Sequence, residues 1–430
     1  MKKVIFGAII PLAMCLTLLV TGCGGGAAEN TVKIGVVGPM TFIQGEQHWY
    51  GATLAAEEIN AAGGIMIGNE AYLIELKKVD SNEMLSPTDA ASAMERVITV
   101  DNVDFVVGGF RTEGVFPMQE IAMDNKTIFL GCGSATKALC DGVADDYDRY
   151  KYWFRVTPVN DVFLFSVDME LLKMVAEALR TECGIETPKV AILAEKLEWA
   201  ETIVTFANAL IPSAGMEVVG TWRPSDTATD VTAELTAIED AGAHIIFTTI
   251  SGPMGIVYAK QWGEKQVPAA SVGINVEVQK QGFWDATDGY GNYETGLNTF
   301  AEGVKITDQT IPFFDNFVDR FGQFPTYNAG TYEALFILKD AIEAAGTVDS
   351  DAVVVELEKT DRTGTAGRIV FDGNHDVIWG PGYVTAVGIQ WRDGEMLAVW
   401  PPADGSWEGV AYEGVVDYEL PPWVIEALGP

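Results

Sequence analysis

From residue 31 to about residue 263, short apolar runs alternate with stretches of helical spacing, in two successive series. Residues 32–38 are apolar and end in Gly-Pro, as a buried parallel strand does. In 51–62, Ala52, Ala55, Ala56 and Ile59 recur at helical spacing before Gly63-Gly64 stops the helix. Strands follow at 73–79, 103–108 and 127–131, separated by helices from Ser86 and over about 113–124. Ser86-Pro87-Thr88-Asp89 supplies a hydroxyl cap, a first-turn proline and an acid near the positive dipole end. After 153–158 the pattern restarts, with a helix over 162–182 and strands at 190–193, 217–221 and 244–248. Helices over 199–210, 231–241 and 254–263 alternate with them. Such a chain folds as two open parallel sheets, each covered by right-handed helical crossovers. Ligands of such sheets bind beyond the carboxyl ends of the strands. Those ends are Gly38-Pro39, Gly108-Gly109, 131–133, Ala194-Glu195, 249–252 and 273–275. Farther on, the pattern predicts a helix over 332–345, strands at 369–371 and 384–391, and a surface wrap from Trp400 to Pro430.

Charge narrows the partners. The chain carries 61 acidic against 27 basic side chains, a formal net charge of -34. A polyanion needs Lys and Arg to displace its counterions, so nucleic acid is excluded as a natural partner. Docking through a basic face on anionic lipid is disfavoured for the same reason.

The N-terminus reads as an address. Lys2 and Lys3 precede an apolar run over 4–20, then Thr21-Gly22-Cys23 and three glycines. This is a secretory signal whose end resembles a bacterial lipobox. The resemblance implies cleavage after residue 22, lipidation of Cys23 and a flexible tether over 23–30, placing the protein outside the cytoplasm on a periplasmic or cell-surface membrane face. Without Lys2 and Lys3 the remaining 25 basic and 61 acidic residues leave about -36. Of the later cysteines, Cys132, Cys140 and Cys183, a Cys132–Cys140 disulfide and three buried thiols are both open readings.

Catalytic chemistry has little to stand on. His48, His244 and His375 are the only histidines, and no nucleophile elbow, P-loop, zinc-binding helix motif or dinucleotide fingerprint occurs. No catalytic residue, cofactor or metal site is expected.

Residues 32–65 read VKIGVVGPMTFIQGEQHWYGATLAAEEINAAGGI. The run resembles the opening of the branched-chain amino-acid binding proteins, the type I periplasmic binding family that serves ABC importers. The resemblance continues through VDSNEMLSPTDAASAMERVI, VDFVVGGFRTEG, WFRVTP, TYEALFILKDAIEAAG and GRIVFD, as far as Trp400. It implies an α/β fold of two Rossmann-like lobes joined by three crossover strands around a ligand cleft. Lobe I would hold 31–157 and about 306–364, and lobe II 158–305 and about 365–430.

The resemblance also implies site residues. Thr112 would offer a hydroxyl and backbone N–H groups to a carboxylate, with Ser134, Ala135 and Thr136 as a second clamp. Trp199 stands where the family places a lip Tyr, Ser251 lies near a missing aromatic, and Gln44 replaces another Tyr. Tyr332 would face the cleft. Arg111 replaces a small residue, and pairing with the carboxylate or lying outside the cleft are both open. Asn275 replaces the acid that takes a ligand ammonium, with Glu277 two residues on as a substitute. The ligand would be a small amino acid, an amide or a related carboxylate, and the partners an ABC permease and its ATPase. A ligand-sensing receptor subunit working with a signalling protein is the alternative.

Thr112→Ala and Ser134→Ala are each expected to weaken ligand binding by about 1–3 kcal/mol through lost hydrogen bonds. Calorimetry on folded variants checks this, and wild-type affinity in both would remove them from the site.

Overall fold

The computed structural model describes residues 30–430. The expected signal, Cys23 and all of the tether except Asn30 lie outside the described residues. The first sheet contains β1 (Thr31–Gly38), β2 (Ile65–Ile67), β3 (Glu70–Asp80), β4 (Phe105–Gly108), β5 (Ile128–Gly131) and β6 (Trp153–Arg155), in the order β2-β3-β1-β4-β5-β6. All its pairs are parallel except the β2–β3 hairpin. Helix Ile43–Ala61 begins earlier than the apolar spacing predicts, because its first two turns bury polar Gln44, Gln47 and His48.

A second sheet is built from β7 (Lys189–Ala194), β8 (Glu217–Trp222), β9 (Ile245–Ile250), β10 (Ala270–Asn275) and β11 (Thr295–Asn298). A small hairpin, β12 (Asp361–Gly364) and β13 (Gly367–Val370), precedes β14 (Val387–Arg392) and β15 (Glu395–Trp400). β14 extends the second sheet antiparallel to β11, and β15 pairs antiparallel with β14, giving the order β15-β14-β11-β10-β9-β7-β8. β2, β11 and β15 escape the alternation in the sequence. Thr295–Asn298, for example, has one apolar residue in four and is buried by its neighbours on both sides.

The chain passes between the sheets three times, after β6, after β11 and after β13. Between the last two passages it returns to the first lobe. There Phe321 stacks on Tyr50 with centroids 4.3 Å apart, and Thr331 Oγ1 donates to the His48 carbonyl at 2.7 Å. The expected wrap from Trp400 to Pro430 lies largely on the surface and is anchored near its end. Leu420 and Val424 are buried, and the Trp423 indole N–H donates to the Val267 carbonyl at 3.0 Å. Cys132, Cys140 and Cys183 are buried free thiols, which decides against the Cys132–Cys140 disulfide. The Cys140 sulfur instead accepts from the indole N–H of Trp153 at 3.3 Å.

Arg155 closes the arrangement where β6 leads into the first passage. Its buried guanidinium pairs through Nε with Asp376 at 2.8 Å and donates to the Ser134 and Thr136 carbonyls at 2.7 and 2.6 Å. Removing it leaves a buried carboxylate and two carbonyls without their donor. Arg155→Met should therefore destabilise the protein by about 3–5 kcal/mol. Urea unfolding measures this, and an unchanged midpoint would contradict it.

Candidate functional site

The carboxyl ends of the two sheets face each other across a cleft that is partly open to solvent. On the first lobe, Gly108 and Gly109 take positive φ, +114° and +79°, and turn the chain off β4. A Cβ on Gly108 would lie 2.1 Å from the Val37 carbonyl oxygen. Gly133, on the next strand end, allows a close approach, since a Cβ there would meet the Gly109 oxygen at 2.4 Å. The two loops thus bring Thr112 and Ser134 together, with hydroxyl oxygens 2.9 Å apart. Two hydroxyls share one bond, so one O–H remains as a donor.

Arg111 lines the cleft and is nearly buried, with a side chain 10% exposed. Its Nη1 reaches the second lobe and pairs with Asp226 Oδ2 at 2.9 Å. Nε and Nη2 have no partner among the described residues. Next to it, Glu113 accepts from the backbone N–H of Glu198 on the second lobe at 3.1 Å.

The second lobe's wall is organised by Glu195, fully buried at the end of β7. It accepts from the Trp199 indole at 2.8 Å, from the Gly252 N–H at 3.0 Å and from the Ser251 hydroxyl. Burial raises its pKa, while the hydrogen bonds from Ser251, Trp199 and Gly252 oppose that rise. Trp199 and Ser251 both line the cleft. Most of the remaining wall is apolar, including Phe110, Leu164, Ile274, Leu297 and Phe300.

Arg111, Thr112, Ala135, Trp199 and Ser251 therefore gather on the cleft, with Ser134 joined through Thr112. Four other expectations are corrected. Thr136 is absent from the wall, and its carbonyl is taken by Arg155. Gln44 is buried away from the cleft, in the helix that begins at Ile43. Tyr332 turns outward, donating to Glu58 at 2.7 Å and packing on Phe313 and Phe336. Asn275 also turns away, because its amide ties β10 to neighbouring chain: Nδ2 donates to the Gly255 carbonyl at 3.1 Å and Oδ1 accepts from the Glu277 N–H at 3.2 Å. Glu277 pairs with Lys280 at 2.5 Å, so it is no substitute.

Sequence reading missed Tyr327, Gln279 and Glu333, which line the cleft. Tyr327 sits in a short turn before the long helix, five residues from the expected Tyr332. Gln279 donates to the Leu297 carbonyl at 2.9 Å and leaves its Oε1 buried without a partner. Glu333 is the one acid on the wall, and it is occupied by the Thr365 N–H at 2.6 Å and by Arg362 at 3.5 Å.

Comparison with known proteins follows the same outline. A family model described as periplasmic binding protein matches residues 31–395. Leu/Ile/Val-binding protein homolog 7 of Brucella abortus (strain 2308) is 22% identical over 405 residues, covering 91% of this chain and 96% of the relative. The branched-chain amino acid transporter substrate-binding protein of Streptococcus pneumoniae, solved with isoleucine, superposes with a TM-score of 0.71 at 20% identity, covering 86% of this chain and all of the other. An ABC-transporter solute-binding protein of R. palustris, solved with benzoate, gives 0.69 at 15% identity over 90% and 99% of the two chains. These superpositions show a shared two-lobed α/β fold.

Under the Phe110–Thr112 loop lies Glu83, whose buried Oε1 accepts from the Phe110 N–H at 3.1 Å. Burial pushes its pKa up to about 7 from an ordinary 4.5. Between those values the unfolded chain gives up this proton first, so folding stability falls as pH rises. Glu294, raised by burial to about 7, acts with the same sign. His48, lowered by burial to about 4, acts oppositely between 4 and 6.5. Glu83→Gln isolates one contribution. Unfolding free energies at pH 5 and pH 8 should show the variant losing up to about 3 kcal/mol less than wild type across that interval. Equal losses would mean that Glu83 ionises normally.

Proposed function

Because the chain belongs to the periplasmic binding protein family, whose model covers residues 31–395, we propose that it is a solute receptor for a small, largely apolar monocarboxylate without an α-ammonium group. The observation that carries this reading is Arg111, whose Nε and Nη2 are buried and unpartnered among the described residues, in a largely apolar cleft. Unfilled donors on a desolvated guanidinium are costly, and a planar carboxylate fits its fork. The spare hydroxyl of the Thr112–Ser134 pair adds a donor. Gln279 Oε1, the orphaned acceptor, suits a neutral N–H or O–H on the ligand.

A zwitterion is disfavoured because no acid on the wall is free to receive its ammonium. Benzoate, the ligand of the R. palustris protein, has the charge pattern expected here, whereas isoleucine in the S. pneumoniae protein carries the additional cation. The working unit is two lobes, 31–157 with about 306–364 and 158–305 with about 365–430, closing on the ligand by hinge motion. Lipidated at Cys23, the protein would hold its ligand outside the membrane and deliver it to an ABC permease and ATPase.

Three ligands of one shape test the reading by thermal shift: 4-methylpentanoate, leucine and 4-methylpentanamide. The acid should raise Tm by several degrees and bind most tightly. Arg111→Gln should cost the acid about 1.5–3 kcal/mol of binding. A stronger response to leucine or to the amide, or none across wider carboxylate panels, would contradict the proposal.

A further inference from the structure

The loop that presents Arg111 also spans the cleft, and this connects ligand recognition to closure. Asp226 lies between β8 and β9 on the second lobe, with its carbonyl accepting from the Met254 N–H at 3.2 Å. Its Oδ1 accepts from the Ser225 hydroxyl at 3.3 Å, leaving Oδ2 for Arg111 at 2.9 Å. The pair is shielded on both sides, with the Asp226 side chain 18% exposed. Two residues after Arg111, Glu113 takes a backbone N–H at the start of helix Glu198–Leu210. One tripeptide of the first lobe therefore holds the second lobe at two places, and both contacts bridge the lobes.

We infer that Asp226 is a positioning residue: it fixes one edge of the Arg111 guanidinium in the closed form and leaves Nε and Nη2 facing the ligand. Closure and carboxylate recognition then use one side chain. An open protein lacks the oriented guanidinium, and a closed protein is partly stabilised before any ligand arrives. This is a population shift with a named contact, since a ligand favouring the closed form adds to a bias already present.

The carboxylate part rests on the functional reading above, whereas the closure part does not. Small-angle X-ray scattering of the ligand-free protein therefore comes first, with circular dichroism to confirm folding. Asp226→Asn should enlarge the radius of gyration relative to wild type, and Asp226→Ser should do the same. The exchanged pair Arg111→Asp with Asp226→Arg should return it to the wild-type value. Unchanged scattering in both single variants, or an exchanged pair as open as they are, would overturn the inference. In the second arm, Asp226→Asn should weaken 4-methylpentanoate about tenfold, and the exchanged pair should bind none despite closing. If wild type binds neither this probe nor any member of the wider carboxylate panels, the functional reading fails and scattering still decides the latch. If Asp226→Asn binds as tightly as wild type, the positioning role is wrong.

Discussion

A buried guanidinium holds the ligand-facing side of the first lobe in shape. Arg155 joins the end of β6, the 134–136 loop and the third passage between the lobes, where Asp376 receives its Nε. Backbone contacts reinforce it, for the Arg155 N–H donates to the His375 carbonyl at 2.9 Å. A full charge in the interior is tolerated because a carboxylate and two carbonyls surround it, each within hydrogen-bond distance. The consequence is mechanical: Ser134 is set opposite Thr112 by the same group that fixes the start of the hinge. Rigid lobes on pliable connections can close as bodies, which is what a cleft receptor requires.

The cleft then combines two properties that oppose each other in water. Its walls are mainly apolar, yet it carries a guanidinium with donors to spare. The chain's charge of -34 acts against attraction of anions from a distance. Salt confines that repulsion to roughly 8–10 Å. On the proposed function, selection of an anion would fall to local donors at Arg111 and Thr112, where low dielectric makes each hydrogen bond count for more. On the opposite wall, Glu195 accepts from Trp199, Ser251 and Gly252, so its carboxyl organises protein and its acceptors are taken up there.

Much of this architecture was legible in the sequence, and the illegible parts have physical causes. Parallel strands buried on both faces are continuous apolar runs, so β1, β4, β5, β7 and β9 announce themselves. β11 is hidden because Thr295–Asn298 is short and polar, and only its neighbours make it a buried strand. The loop ends at Thr112, Ser134 and Ser251 were recognisable from strand-end position and family resemblance. Side-chain direction was not. Asn275 sits where a family acid contacts ligand, but its amide is drawn onto Gly255, whose missing side chain leaves room for it: a Cβ there would lie 2.1 Å from Asn275 Oδ1. Tyr332 and Tyr327 differ by five residues, and only the turn at Tyr327–Gly330 decides which one meets the cleft. Asp226 and Gln279 carry no local signature, because their importance lies in what they face across long sequence distances.

On the proposed function, Arg111 receives a carboxylate between the two lobes. A crystal structure of the protein with a bound monocarboxylate tests it most directly. Both carboxylate oxygens are expected within hydrogen-bond distance of Arg111 Nε and Nη2, with Asp226 still on Nη1 and the apolar body of the ligand against Phe110 and Trp199. A carboxylate held elsewhere, with Nε and Nη2 still unfilled, would contradict it.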